Sequence, residues 1–82
     1  MRNTHRPLTT IERATANGIR PIVAGQIGNT LTVAYVKRDG TPATLTGVVT
    51  GIVGHDSTEA VTLDTDKGFR SANLWSIKAV GA

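Results

Sequence analysis

The sequence predicts a mainly β protein, a small five-stranded antiparallel barrel preceded by a short N-terminal α-helix. Three observations support this fold class. Residues 9–12 carry a helix-capping pattern, and an apolar stripe follows. From residue 22 onward, short runs rich in Val, Ile and Thr recur about every 8–12 residues, with Gly- and Asp-containing turns between them. The longest of these runs, residues 43–54, is interrupted by glycines, which is typical of a strand that bends sharply.

The chain of 82 residues is long enough for one domain with a thin core. Residues 1–7 are polar and end in Pro7, so we expect a flexible basic arm there and a single folded domain over residues 8–82.

The helix is predicted from its first turn. Thr9 and Glu12 fit a capping box, in which each side chain accepts a hydrogen bond from the backbone N–H of the other residue. Gly18 is placed to end the helix after about Asn17, because glycine readily adopts the left-handed conformation found at helix C termini. The predicted apolar stripe consists of Ile11, Ala14 and Thr15, flanked by Leu8 and Ile19.

The strands follow in chain order. We expect a short apolar start over residues 22–24, broken by glycines, and then strands over residues 30–36, 43–53, 59–63, 69–74 and 76–80. Asp39-Gly40 predicts a tight hairpin between the first two full strands. A polar turn is expected over residues 55–58, a second over 64–68, and a tight corner at residues 73–75.

The glycines of the long strand are assigned to its inner face. With a strand period of two, Gly47 and Gly51 share a face with Leu45, Val49 and Val53. Missing side chains on that face would let the strand curl through both halves of a barrel, so replacing either glycine with Val should damage folding.

Composition narrows the function classes. The chain has no cysteine, which excludes disulfides and thiolate metal sites. It has no apolar run of membrane-spanning length and no apolar region behind its N terminus, so we expect a soluble cytoplasmic protein.

Residues 1–20 hold four arginines against one glutamate, whereas residues 21–82 are balanced at five basic and five acidic residues. The excess charge of +3 therefore belongs to the N-terminal segment, where it either contacts phosphate or merely aids solubility.

Motifs for catalysis are poorly developed. His55-Asp56-Ser57 has the residue types of a hydrolase triad but in consecutive positions, which is more typical of a polar turn. Asp64-x-Asp66-x-Gly68 lacks the glycine and glutamate positions of a calcium loop, and His5 and His55 have no metal-ligand spacing. No helix or lysine follows the glycines to make a phosphate loop. We therefore expect no enzyme activity, no metal and no cofactor.

Binding is better supported by the distribution of cations. Contact with a nucleic-acid backbone is predicted for seven residues, with His5 able to add charge at mildly acidic pH. The seven are Arg2, Arg6, Arg13, Arg20, Lys37, Arg38 and Arg70. Among the aromatic residues, Phe69 and Tyr35 are expected in the core, and Trp75 is the candidate contact residue. With so few aromatics available for stacking, duplex backbone contact is favoured over base reading.

Several motifs of this chain resemble those of a WYL-type domain. The similarity lies in Val33-x-Tyr35, the turn glycine Gly40, and the closing run from Gly68 to Val80, which is similar to the family's Gly-x-Arg-x-Phe-x-Leu-x-x-Ile pattern. Ala72 stands at the Phe position and Ser76 at a position often held by Arg. The resemblance, over about residues 8–80, implies a short helix leading into an Sm-like small barrel, with Arg70 carried over as a binding residue. The general composition is also similar to small proteins of actinobacterial phages.

Two functions follow as hypotheses. The first is a non-enzymatic small barrel that binds nucleic acid or a nucleic-acid-associated complex in a regulatory accessory role. The alternative is a protein-interaction or assembly module, such as a phage protein that binds a host factor or self-assembles through its edge strands into a homo-oligomer. A phage-encoded protein would act in the host cytoplasm, and neither hypothesis involves a membrane.

Overall fold

A computed structural model describes residues 7–81 of the chain. They form one α-helix and five β-strands: α1 (Thr10–Ala24), β1 (Thr30–Val36), β2 (Pro42–Val53), β3 (Ala60–Thr65), β4 (Gly68–Asn73) and β5 (Ile77–Gly81). The predicted helix-first, mainly β composition is confirmed, and the bounds of all five full strands agree with the predictions to within two residues. Residues 1–6 of the predicted arm lie outside the described residues.

The strands form one antiparallel sheet in the order β4-β3-β2-β1-β5. Strands β1 to β4 form a meander, and β5 returns to pair with β1 on its free side. Two short 3-10 turns interrupt the path, the first turn at Asp56–Thr58 before β3 and the second turn at Leu74–Ser76 before β5. Among the described residues β4 and β5 each pair with one neighbour, so the sheet is open.

Helix α1 starts as predicted and ends later than predicted. The capping box is confirmed, with the backbone N–H of Thr9 donating to Glu12 Oε1 at 3.0 Å and the backbone N–H of Glu12 donating to Thr9 Oγ1 at 3.1 Å. The helix then continues through Gly18 and Pro21 to Ala24, so the predicted end near Asn17 and the short strand at residues 22–24 are wrong. Packing of the second half of the helix onto the sheet outweighs the local cost of Gly and Pro.

The buried face of α1 also differs from the predicted stripe. Ala16 and Val23 are buried and Ile19 packs against the core, whereas Ile11 is 79% exposed. Residues 16, 19 and 23 follow the spacing of one helical face, and this face is recognisable only when the helix extends past Gly18.

The long strand β2 bends at a bulge that reverses its faces. The pairing with β3 shifts between Val49 and Gly51 and leaves Thr50 as the extra residue. Beyond the bulge Ile52 packs against the core, and Val53 is 54% exposed. The predicted inward positions of Gly51 and Val53 are therefore wrong, because a strict period of two does not survive a bulge.

The core lies between α1 and one face of the sheet. It is built mainly from aliphatic side chains of all five strands, of α1 and of the second 3-10 turn, with Leu63, Leu74 and Ile77 among the largest. Tyr35 packs against this core as expected, but Phe69 is 69% exposed and its predicted core position is wrong. No helix among residues 7–81 combines the length and the apolar character needed to span a membrane.

Candidate nucleic-acid interface

A groove separates the first half of α1 from the β1–β2 turn and the second 3-10 turn. We call it the α1 groove, and its volume is about 460 Å³. The side chains that matter for its chemistry are Ile11, Glu12, Lys37, Arg38, Trp75 and Lys78. Its walls therefore combine three cations, one carboxylate and two apolar side chains.

Lys37 and Arg38 reach the groove from the hairpin turn between β1 and β2. This turn is fixed by its own hydrogen bonds, since Gly40 N donates to the carbonyl of Lys37 at 2.9 Å and Thr41 N donates to Asp39 Oδ1 at 3.0 Å. The bond from Thr41 lowers the pKa of the Asp39 carboxyl below its ordinary value. Gly40 has a φ of 89°, which confirms that the predicted turn needs a glycine there. Both cations are exposed at a well-defined position.

Lys78 is a groove residue that the sequence reasoning missed. Strand β5 pairs with β1 through Ala34 with Ala79 and Tyr35 with Ile77, so Lys78 is the extra residue at an irregularity in the pairing. That places it beside the end of β1, close to the turn that carries Lys37 and Arg38. Only knowledge that β5 returns to β1 could have indicated this position.

Trp75 forms a fixed part of the groove wall. Its indole Nε1 donates to the carbonyl oxygen of Ser57 at 3.0 Å, and the half-buried ring also packs against the core. Because both its polar edge and its inner face are held, the ring presents a defined surface to the groove.

Glu12 supplies the single carboxylate among these six side chains. Its Oε1 accepts the hydrogen bond from Thr9 that caps α1, so the charge also serves the helix terminus. The lining of the groove thus has three cationic side chains and one carboxylate.

Two of the residues predicted to contact phosphate, Arg13 and Arg20 on α1, form ion pairs within the fold. Arg20 donates from Nε and Nη2 to the two carboxylate oxygens of Glu59 at 2.7 and 2.6 Å, and from Nη1 to Asn17 Oδ1 at 3.0 Å. Arg13 Nη1 lies 3.6 Å from Asp56 Oδ1, with both side chains more than half exposed. The hydrogen bonds from Arg20 lower the pKa of Glu59, whose side chain is only 13% exposed.

Of the remaining predicted contacts, Arg70 is the one within the described residues. Arg70 is exposed on β4, where its Nη1 donates to the carbonyl of Phe69 at 3.0 Å, and it does not line the α1 groove. Arg2 and Arg6 lie outside the described residues. Of the seven residues predicted to contact a nucleic acid, Lys37 and Arg38 line the α1 groove, and Lys78 lies there with them.

The segment His55–Ser57 overlaps the first 3-10 turn, which His55 precedes directly. Asp56 adopts a φ of 53°, and Thr58 Oγ1 donates to the carbonyl of His55 at 2.8 Å. Within residues 7–81, no group of three or more His, Asp or Glu side chains could hold a metal ion.

Comparison with models of known protein families, with curated proteins and with solved structures finds no match to this chain.

Proposed function

We propose that this protein binds nucleic acid, or a complex that contains it, as a non-enzymatic accessory protein with a regulatory role. The observation that carries the proposal is the grouping of Lys37, Arg38 and Lys78 around one groove. These three cations come from two separate parts of the sheet, and a cluster of this kind suits the closely spaced phosphates of a nucleic acid.

The charge distribution adds support. Arg13 and Arg20 are engaged with carboxylates, so the phosphate contacts fall chiefly to Lys37, Arg38 and Lys78. The N-terminal arginines and Arg70 would extend the cationic surface as secondary contacts, and Trp75 is the aromatic residue that lines the groove.

We also propose that the fold is a small, Sm-like barrel with an N-terminal helix. Two features support it. Strand β5 pairs with the first strand of a four-stranded meander, and a 3-10 turn separates it from β4. The sheet also curls enough for residues 35–38 at the end of β1 and residues 71–73 of β4 to line one pocket of about 280 Å³.

A salt titration tests the function. We expect binding to a fluorescently labelled nucleic acid to weaken steeply as salt rises, and the variant K37Q/R38Q to bind more weakly at low salt. Each phosphate contact contributes a slope of about 0.9 in the logarithmic salt plot for a duplex, so the double variant should reduce the slope by about 2. The exposed Lys67, in the β3–β4 turn away from the groove, provides the control variant K67Q, which should keep most of the affinity. Undetectable binding at low salt would refute the proposal.

A second candidate function is self-assembly or partner binding through the edge strands. It is favoured by the outer edges of β4 and β5, which pair with no further strand among residues 7–81, and by Phe69, which is 69% exposed on β4. Light scattering at increasing concentration tests it, since assembly would raise the mass of the wild type and F69S would lower it again. A constant monomer mass would contradict assembly.

A further inference from the structure

Ile11 is the most exposed large apolar side chain in the described part of the chain, at 79%. Single exposed apolar residues are common and need no explanation by themselves. Ile11, however, lies on the α1 groove together with Trp75, so two apolar side chains from separate elements line the same concave surface. The groove thus has apolar walls as well as cations at its opening.

The apolar walls are informative about the form of the nucleic acid. Contact with a duplex backbone uses cations and hydrogen-bond donors on an accessible surface, and it gains little from an isoleucine and an indole in a concavity. Unpaired bases, in contrast, are bound by stacking on aromatic side chains and by burial of their faces. At about 460 Å³, the groove also lies within the range of sites that enclose small ligands.

We infer that the α1 groove holds an unpaired base of a single-stranded nucleic acid against Ile11 and Trp75, with the neighbouring phosphates at Lys37, Arg38 and Lys78. This inference rests on the proposed function and adds to it a preference for single strands over duplexes. It differs from the sequence-based expectation of duplex backbone contact, which rested on the small number of aromatic residues and stays a prediction. One fixed indole and one exposed isoleucine are sufficient for a single base.

Asn73 supplies a polar group at the same site. Its half-buried side chain lines the groove and makes no hydrogen bond to another described residue, so its amide offers both a donor and an acceptor. The amide can therefore meet the edge of a base whose face lies on the apolar wall, which predicts a modest preference among bases.

The test compares a short oligothymidylate with a duplex of the same length at the same low salt. Trp75 is the only tryptophan of the chain, so its fluorescence reports directly on the groove. We expect the single strand to quench or shift this fluorescence and to bind several-fold more tightly than the duplex.

Matched variants assign the effect to the groove. We expect I11A to weaken binding of the single strand roughly five-fold, as suits the loss of an aliphatic side chain that a bound base would cover, and to leave duplex binding unchanged. I22A removes the same side chain from the same helix, at a position that is 47% exposed and does not line the groove, and should bind like the wild type. Thermal unfolding of both variants shows that each is folded.

The outcomes separate the two proposals. Equal binding of strand and duplex, with unresponsive Trp75 fluorescence and I11A equal to I22A, would overturn the base-binding groove while leaving nucleic-acid binding in place. Absence of binding to either nucleic acid at low salt would overturn the proposed function and this inference together.

Discussion

Gly47 is the residue at which β2 leaves no room for a side chain. A Cβ at this position would lie 2.5 Å from the carbonyl oxygen of Asp64 and 3.1 Å from the Cα of Thr65, because the end of β3 curls over this part of β2. Both neighbours are backbone atoms and cannot rotate away. We expect G47A to lower the free energy of unfolding by at least about 2 kcal/mol, measured by urea denaturation.

Gly51 provides the matched control for Gly47. It belongs to the same strand, its φ is not positive, and no heavy atom lies within 4 Å of where its Cβ would be. G51A should therefore change the stability by no more than about 0.5 kcal/mol. Equal losses of stability in G47A and G51A would contradict the close approach of β3 to Gly47. They would indicate that both glycines allow the strand to curve in the same way.

The two glycines illustrate what sequence patterns can predict at single positions. Their spacing in a β-favouring run correctly indicated a bent strand, but the two glycines have different roles. Gly47 allows the backbone of β3 to approach closely, and Gly51 lies next to the bulge. Neither the contact nor the bulge is encoded locally. Phe69 is a similar case, since its hydrophobicity predicted burial, whereas its register opposite Asp64 on the outer face leaves it exposed.

Helix α1 contains a glycine at a position where the structure does not require one. Gly18 lies inside the helix, its φ is not positive, and nothing lies within 4 Å of where its Cβ would be. Alanine at such a position avoids the backbone entropy cost of glycine, so G18A should raise the free energy of unfolding by roughly 1 kcal/mol. Urea denaturation checks the value.

The control for Gly18 is Gly28, which has as much room for a Cβ but a different backbone conformation. Gly28 also has no neighbour within 4 Å of its would-be Cβ, but its φ is 91°. G28A should therefore destabilise the protein by roughly 1 kcal/mol or more, from backbone strain alone. A loss of stability in G18A comparable to that in G28A would indicate that Gly18 ends the helix, as its sequence context predicts.

The elements differ in how far local sequence determines them. The start of α1 depends on two side chains within one turn, Thr9 and Glu12, and it was predicted correctly. Its end depends on whether Ile19 and Val23 find a surface to pack on, which only the folded sheet supplies. The candidate site follows the same rule: the turn cations Lys37 and Arg38 are visible in the sequence, while Lys78 joins them through the pairing of β5 with β1.

In the assembled fold, Glu59 connects α1 with the second 3-10 turn. Its carboxylate accepts two hydrogen bonds from Arg20 on α1, and its backbone carbonyl accepts from the N–H of Leu74, next to Trp75. The helix and the second 3-10 turn are therefore both bonded to the residue that precedes β3. This connection joins parts of the chain that are far apart in sequence.

The ion pair between Arg20 and Glu59 should make stability depend on acidic pH. The hydrogen bonds from Arg20 hold the folded-state pKa of Glu59 below its ordinary value, so its contribution is complete above that value, near 4.5, and is lost as the pH falls through the folded pKa. We expect E59Q, which keeps the backbone bond to Leu74, to lower the melting temperature by a few degrees at neutral pH. Asp39, whose pKa is also lowered, is present in both proteins, so the stability that is lost when it becomes protonated is the same in both and cancels in the comparison. The gap between the two melting temperatures should therefore narrow as the pH is lowered from neutrality into the acidic range below about 4.5. A gap that stays constant across this range would show that the charge of Glu59 does not fasten α1 to the sheet.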